Sequence, residues 1–441
     1  MFSNKDLSKL IIPLIVEQLL ATTIGLADTV MVSSCGEAAV SGVSLVDQIN
    51  FLFITLFAAL ATGGAIVSSQ YIGKGDREDA KKAANQLFYV ALFLSGIIAA
   101  VCMLLHSAIL SGLYGQVEKE VMDSAKIYFL LTAASYPFLA IYNSGAALFR
   151  SMGDSRTSMY TSLVMNGINV AGNALLIYVV HMGVSGAATA TLVSRIIGCV
   201  FITALLHSEK RPIAYGGLLK FHFEGYLIKK ILYIGIPSGV ENSMFQIGKI
   251  IVASLVAVLG TASITANAVC GSLAGIEIVT GTACGMAMVT VVGQCVGAGR
   301  YDLARSYIKK LMGVCYVGVW ITVTIMLLLR GVLFSLYGLS DETLALANQC
   351  FLVHSICCYV TWPLSFALPN ALRAANDVKY PMYVSLCSMI FLRVVLTFIL
   401  IRFFHVGIVG VWVAMCTDWA LRAVLFVKRI LGDRWTVKKL V

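Results

Sequence analysis

Charge is scarce in this sequence. Lys, Arg, Asp and Glu make up 12 % of its 441 residues, against roughly 25 % in soluble domains. Hydrophobic residues reach 59 %, which excludes a water-soluble globular chain. Acids are scarcer than bases, 22 against 32, for a net charge of +10. Such a balance can indicate nucleic acid, but here the basic residues fall in short connectors between apolar runs. That is the distribution of a membrane protein, and no nucleic-acid partner is expected. Motifs of catalysis are missing as well. There is no HExxH, no GxSxG and no paired intramembrane aspartate, so an enzyme is not expected. Without a GxxxxGK[ST] loop or a soluble domain to carry one, a nucleotide-driven pump is excluded too. The twelve cysteines form no CxxC pair and no metal-ligand spacing, so they read as small core hydrophobes. The opening MFSNKDLSKL is too short and mild for a secretory leader, and the first apolar run is expected to be retained.

What is present is a series of twelve apolar segments, at about 10–34, 45–71, 84–111, 125–149, 158–181, 184–207, 229–258, 264–295, 307–334, 346–370, 380–404 and 407–430. Backbone groups in lipid must be satisfied within the segment, so each reads as a helix. The alternating polarity of a membrane β-barrel is absent. Lys74, Arg77, Lys81, Lys82, Arg150, Arg156, Lys309 and Lys310 cluster in connectors on one side, with Lys428, Arg429 and Arg434 in the tail. The opposite connectors hold few basic residues. Both termini are therefore expected in the cytoplasm of a multi-pass protein of the plasma (bacterial inner) membrane.

The chain also repeats itself. At an offset of 224 residues IPLIVEQ (12–18) falls on IPSGVEN (236–242), pairing Pro13 with Pro237 and Glu17 with Glu241. IGKGDREDA (72–80) falls on VGAGRYDLA (296–304), and MGVSGAATAT (182–191) on VGIVGVWVAM (406–415). FRSMGDSRTSMY (149–160) matches LRAANDVKYPMY (372–383) with a slip of one residue. The expected fold is all-α and polytopic: twelve transmembrane helices in two six-helix lobes related by a pseudo-two-fold axis. The N-lobe covers 1–208, a polar cytoplasmic linker 209–225 and the C-lobe 226–441. Parallel repeats of this kind are a common transporter architecture, with the substrate held between the halves.

Candidate functional residues are the polar groups that these apolar helices should not contain. The first helix, LIIPLIVEQLLATTIGLADTVMV (10–32), carries Glu17 and Asp28. Eleven residues are about three turns, so both lie on nearly one face, roughly 16 Å apart. A carboxylate at that depth must face protein or water; it either marks an ion route or pairs with a neighbouring base. In the fifth segment Asn166, Asn169 and Asn173 share one stripe, and the sixth adds Thr189 and Thr191. One carboxylate among amides and hydroxyls suits a proton relay or a hard cation such as Na⁺ at Asp28, Asn169 and Asn173; a hydrogen-bond network that merely specifies packing is the alternative. In the second half, Glu241, Lys249, Glu277, Arg393, Asp418 and Arg422 are deep. Arg393 and Asp418 are expected to pair, Lys249 and Glu277 to do the same, and Glu241 to meet a cationic substrate. Glu17, Glu241 and Glu277, with Met244 and Trp362, are the expected lining of a substrate cavity, although methionines in bundles are mostly packing.

These residues resemble the multidrug and toxic compound extrusion (MATE) family. The likeness rests on Pro13, LADTVMV, GGAIVSSQYIGKGD, ALFRSMGDSRTSMY, MGVSGAATATLVSR, GIPSGVENSMFQIGK and VVGQCVGAGR, in that order and spacing over nearly the whole chain. The resemblance implies a secondary antiporter that expels organic, often cationic compounds in exchange for Na⁺ or H⁺. No cofactor beyond the coupling ion is implied; the partners are a small organic substrate and membrane lipids, and the unit is a monomer. It implies coupling roles for Asp28, Asn169, Asn173 and Thr191. Many prokaryotic members carry an aspartate where this chain has Asn173, and a tyrosine where it has Ile24, so Asp28 is the sole acid of that group. A flippase for a lipid-linked precursor, of the same superfamily, is the alternative.

Overall fold

The computed structural model describes residues 2–207, 213 and 222–437. Of the expected linker 209–225, only residue 213 and residues 222–225 fall among these; the rest lies outside the described residues. The described residues are mostly helical: α1 Asn4–Ser33, α2 Glu37–Lys74, α3 Arg77–Tyr114, α4 Lys119–Ala134, α5 Tyr136–Ser151, α6 Ser155–Ala174, α7 Gly183–Leu206, α8 Gly225–Ala257, α9 Thr261–Glu277, α10 Val279–Gly297, α11 Tyr301–Ser335, α12 Asp341–Val360, α13 Pro369–Ala374, α14 Lys379–Ser388, α15 Leu396–Arg402 and α16 Ile408–Leu431. Eleven described helices are long and apolar enough to cross a membrane. Counting α4 and α5 as one span bent by 47° gives twelve. The bend has a local cause: Pro137, at the start of α5, has no N–H to continue the helix across Ser135. Several segments that read as continuous are broken. The eighth divides at Ile278 into α9 and α10, and the tenth and eleventh each contain a π turn, Pro363–Ala367 and Met389–Val395.

Contacts divide the chain into two compact units, Asn4–Gly239 and Val240–Val441, the latter joined by Met1–Ser3. The division falls inside α8, not at the linker. Glycine is the reason on the first side: a Cβ on Gly63 of α2 would lie 2.8 Å from the Ile231 carbonyl oxygen and 2.9 Å from the Gly235 nitrogen. The first half of α8 thus lies directly against α2.

The internal repeat is written in the backbone. Left-handed residues recur as Gly36 (φ 101°) and Gly260 (93°), Gly75 (84°) and Gly299 (70°), Gly153 (84°) and Asn376 (67°), His181 (59°) and His405 (51°), and Gly183 (58°) and Gly407 (69°). Asn stands in for Gly at 376 because its short polar side chain tolerates this region. The offset is 223 at Asn376 and 224 again at His405. Each half has a π turn in this stretch, Leu175–Val179 in the first and the longer Met389–Val395 in the second.

Pro13 leaves the Lys9 carbonyl without its helical donor. Ser155 Oγ supplies one from α6, contacting Lys9 O at 3.1 Å and Leu10 O at 2.6 Å. This contact sets α6 against α1 and brings the asparagine stripe to the aspartate.

Candidate functional site

In the N-terminal unit α1, α6 and α7 meet at Asp28. Asn173 Nδ2 donates to Asp28 Oδ1 at 2.8 Å. The Asn169 amide, oriented so that nitrogen faces the acid, donates to Oδ2 at 2.9 Å and Oδ1 at 3.0 Å. Its oxygen then accepts from Thr191 Oγ1 at 3.2 Å. Among the described residues no Lys or Arg nitrogen lies within ion-pair distance of Asp28. Asn169 and Asn173 are buried, and Asn173 Oδ1 has no hydrogen-bond partner. Four of the five residues expected at a coupling site therefore come together. The fifth, Asn166, donates instead to Ser162 Oγ at 3.2 Å.

A second polar group adjoins this one and was not evident in the sequence. Asn50 Nδ2 approaches Asp47 Oδ1 at 3.3 Å, and Asn50 Oδ1 accepts from Tyr136 Oη at 2.7 Å and Thr132 Oγ1 at 3.3 Å. Arg195 donates to Ser135 Oγ at 2.6 Å, and its charge acts on both Asp47 and Asp28. The signal was the i, i+3 pair Asp47 and Asn50 near the start of an apolar helix, a place where acids usually reach water.

The glutamates expected at a substrate cavity have protein partners. Glu17 receives Ser158 Oγ at 2.9 Å and Arg150 Nη1 at 3.4 Å. Glu241 receives Arg373 Nη2 and Ser385 Oγ, both at 2.7 Å. Glu277 is fully buried, with His354 Nδ1 at 2.6 Å and Ser355 Oγ at 2.7 Å. Both oxygens of each carboxylate are engaged, and Glu17 and Glu241 are each matched by an arginine. The expected Lys249–Glu277 pair is absent: Glu277 is held by α12, while Lys249 Nζ lies over the Phe245 ring at 5.6 Å. Trp362 is buried, stacks on Phe366 at 5.3 Å and fills the space left by Gly281. Met244 is half-buried in α8.

Arg393 and Asp418 form the expected ion pair, at 3.9 Å and so without a hydrogen bond, and Arg422 Nε meets Asp418 Oδ1 at 2.8 Å. Arg422 also donates to Ser388 Oγ at 2.8 Å.

A duplicated, multi-pass helical chain with charged side chains buried at membrane depth has the design of a secondary transporter. A sequence profile of the MatE family matches it twice, over residues 13–175 and 237–399, again 224 residues apart. The chain belongs to the MatE family. It is 26 % identical over 436 residues to a protein described as uncharacterized transporter YisQ of Bacillus subtilis, covering 97 % of this chain and 94 % of that one. It is 24 % identical over 441 residues to probable multidrug resistance protein NorM of Thermotoga maritima, covering 98 % and 93 %. Among solved structures it is similar to an outward-facing multidrug resistance MATE family transporter (TM-score 0.90, 19 % identity, 99 % and 97 % covered). It is also similar to a MOP superfamily transporter from Pyrococcus furiosus (TM-score 0.89, 20 % identity, 97 % and 96 % covered). These structural likenesses concern the fold.

Proposed function

We propose that this protein is an efflux transporter for organic compounds, driven by exchange with H⁺ or Na⁺ through alternating access, with Asp28 taking the coupling ion. Family membership and the names of relatives such as NorM support efflux. The observation that carries the coupling role is the Asp28 carboxylate held by two amides with no basic partner among the described residues. Amides solvate a carboxylate without neutralising it, so a proton or cation can still discharge it. Once protonated, Asp28 has an O–H to donate, and the partnerless Asn173 Oδ1 is the acceptor on the adjoining amide. Na⁺ would likewise need an amide oxygen, not nitrogen, turned toward it. Either event turns Asn173 or Asn169, and Asn169 passes the change to Thr191 on α7. The ion drives transport only by favouring one packing of α1, α6 and α7 over another. In this reading both termini face the cytoplasm.

The test is Asp28→Asn in proteoliposomes, with pH and Na⁺ gradients imposed separately. Gradient-driven efflux should fall to the rate seen without a gradient, while the variant elutes as a folded particle in detergent. Wild-type efflux in that variant would overturn the proposal. Transport dependent on neither gradient in the unmodified protein would favour the lipid-precursor flippase.

A further inference from the structure

Three cations of the C-terminal unit surround one aromatic ring. Arg393 Cζ lies 5.2 Å from the Phe245 centroid, and Arg422 Cζ and Lys249 Nζ each 5.6 Å. No two of them are farther apart than the sum of two such distances, about 11 Å. The acids on hand do not balance them. Asp418 is held by Arg422, and Glu241, whose charge also reaches Arg422, is already matched to Arg373. Counting all four bases against both acids leaves two positive charges at membrane depth. Cation–π contact with Phe245 offsets only a fraction of what an unpaired charge costs there.

The donors themselves point to something absent. Arg393 is 8 % exposed, and its Nε and Nη1 have no hydrogen-bond partner. If Nη1 closed the 3.9 Å gap to Asp418 Oδ2, Nε would still be unmatched. Arg393 sits in the π turn Met389–Val395, where the widened helix re-aims a side chain. Lys249, by contrast, is exposed, which gives a ligand a way in. The two free N–H groups lie on different edges of the guanidinium, so each can take one carboxylate or phosphate oxygen, and a nearby ammonium adds a point charge.

We infer that Lys249, Arg393 and Arg422 form a binding site for an anionic group, a carboxylate or phosphate, carried by the transported compound. Phe245 and Phe366, the latter 5.5 Å from Arg422 Cζ, would hold the apolar body next to it. That the bound compound is cargo rests on the efflux reading above; the anion site does not. An organic anion in solution and a lipid headgroup share this chemistry.

The experiment uses one fluorophore with three heads: pyrenebutyrate, a pyrenebutyl trimethylammonium of matched length, and a pyrene-labelled phosphatidate. Binding to the full-length protein in detergent is read by energy transfer from tryptophan to pyrene. At least one anionic probe should bind saturably and more tightly than the ammonium probe, and which one binds identifies the source. Lys249→Gln and Arg393→Gln should each weaken that binding about ten- to a hundredfold, the loss expected from one charge-assisted contact. The ammonium probe should be unaffected. Lys249 is exposed, so its variant keeps the test decisive if Arg393→Gln misfolds. Equal affinity for all three heads, or anion binding untouched by Lys249→Gln, would overturn the site. Anion binding together with efflux that, in the unmodified protein, depends on neither gradient would instead sink only the coupling proposal.

Discussion

The two halves of this chain share a latch and differ in what lies beyond it. In each, a glutamate four residues after a helix proline is held by an arginine and a serine: Glu17 by Arg150 and Ser158, Glu241 by Arg373 and Ser385. Glu17 and Glu241, and Arg150 and Arg373, are repeat partners. The serines are not, since Ser158 aligns with Pro381 and Ser385 with Ser162, one helical turn along. The backbone kept the acid–arginine pair and found its hydroxyl wherever one was available. Deeper in, the halves part. Where α1 has Asp28, α8 has Val252; where α1 has Gly25, α8 has Lys249. The first half thus gathers an acid among amides, and the second gathers bases around an aromatic ring. Duplication preserved what holds each unit together, and divergence placed opposite charge in the two sites.

Breaking the latch should have the largest effect on stability, and should rank the halves. Removing one member of a buried ion pair strands the other, at about 3–5 kcal/mol. Glu241→Ala should approach that range, because both contacts are 2.7 Å and Arg373 is mostly buried. Glu17→Ala should cost less, because its arginine is 3.4 Å away; each arginine keeps one further partner at 2.9 Å, Ser158 for Arg150 and Asn370 for Arg373. Thermal unfolding of the detergent-purified variants measures the order. If Glu17→Ala is the more damaging, the distances do not govern the latch.

The next effect separates the halves at a close approach. Gly63 of α2 aligns with Ala287 of α10, so the second half already carries the methyl group that the first excludes. A Cβ at Gly63 would meet backbone atoms of α8, which cannot yield as a side chain can. Gly63→Ala should therefore destabilise by about 1–3 kcal/mol, as overpacking does. Gly275→Ala in α9, where nothing lies within 4 Å, should be neutral or stabilise by up to about 1 kcal/mol through helix propensity. Equal unfolding temperatures for the two variants would remove Gly63 as the seat of the α2–α8 contact.

Much of this was legible in the sequence, for physical reasons that also mark where legibility stopped. Apolar run length predicts spanning helices because lipid thickness fixes it, and the 224-residue offset predicts the repeated turns because a left-handed residue favours Gly, as at the pairs 36 and 260, 75 and 299, and 183 and 407. Asp28 was legible because an acid stands out in an apolar run, Asn169 and Asn173 because a spacing of four residues on a helix puts side chains on one face, and Thr191 through the family resemblance. The partners of the glutamates were not. They lie 133, 132 and 77 residues away, and Arg150 and Arg373 read as loop residues because each sits at a helix end. Nor could Arg393 be placed from the repeat, since an offset of 223 puts Leu392 opposite Asn169 and an offset of 224 puts Arg393 there.

The smallest effect concerns how each half treats its proline. Pro13 and Pro237 both remove a helical hydrogen bond, but Ser155, which serves the Lys9 and Leu10 carbonyls, aligns with Val378 in the second half. Ser155→Ala removes the hydroxyl that the second half also lacks. Alanine differs from serine only by that oxygen and fits the buried position, so the loss is confined to the hydroxyl's contacts, about 1 kcal/mol. Because Ser155 fixes α6 against α1, the same change should loosen the register that brings Asn169 and Asn173 to Asp28. Efflux in proteoliposomes should then fall by more than the small stability loss explains, as fewer molecules hold both amides on the acid. A variant that loses stability yet transports at the wild-type rate would show that the amides find Asp28 without help from the proline end of α1.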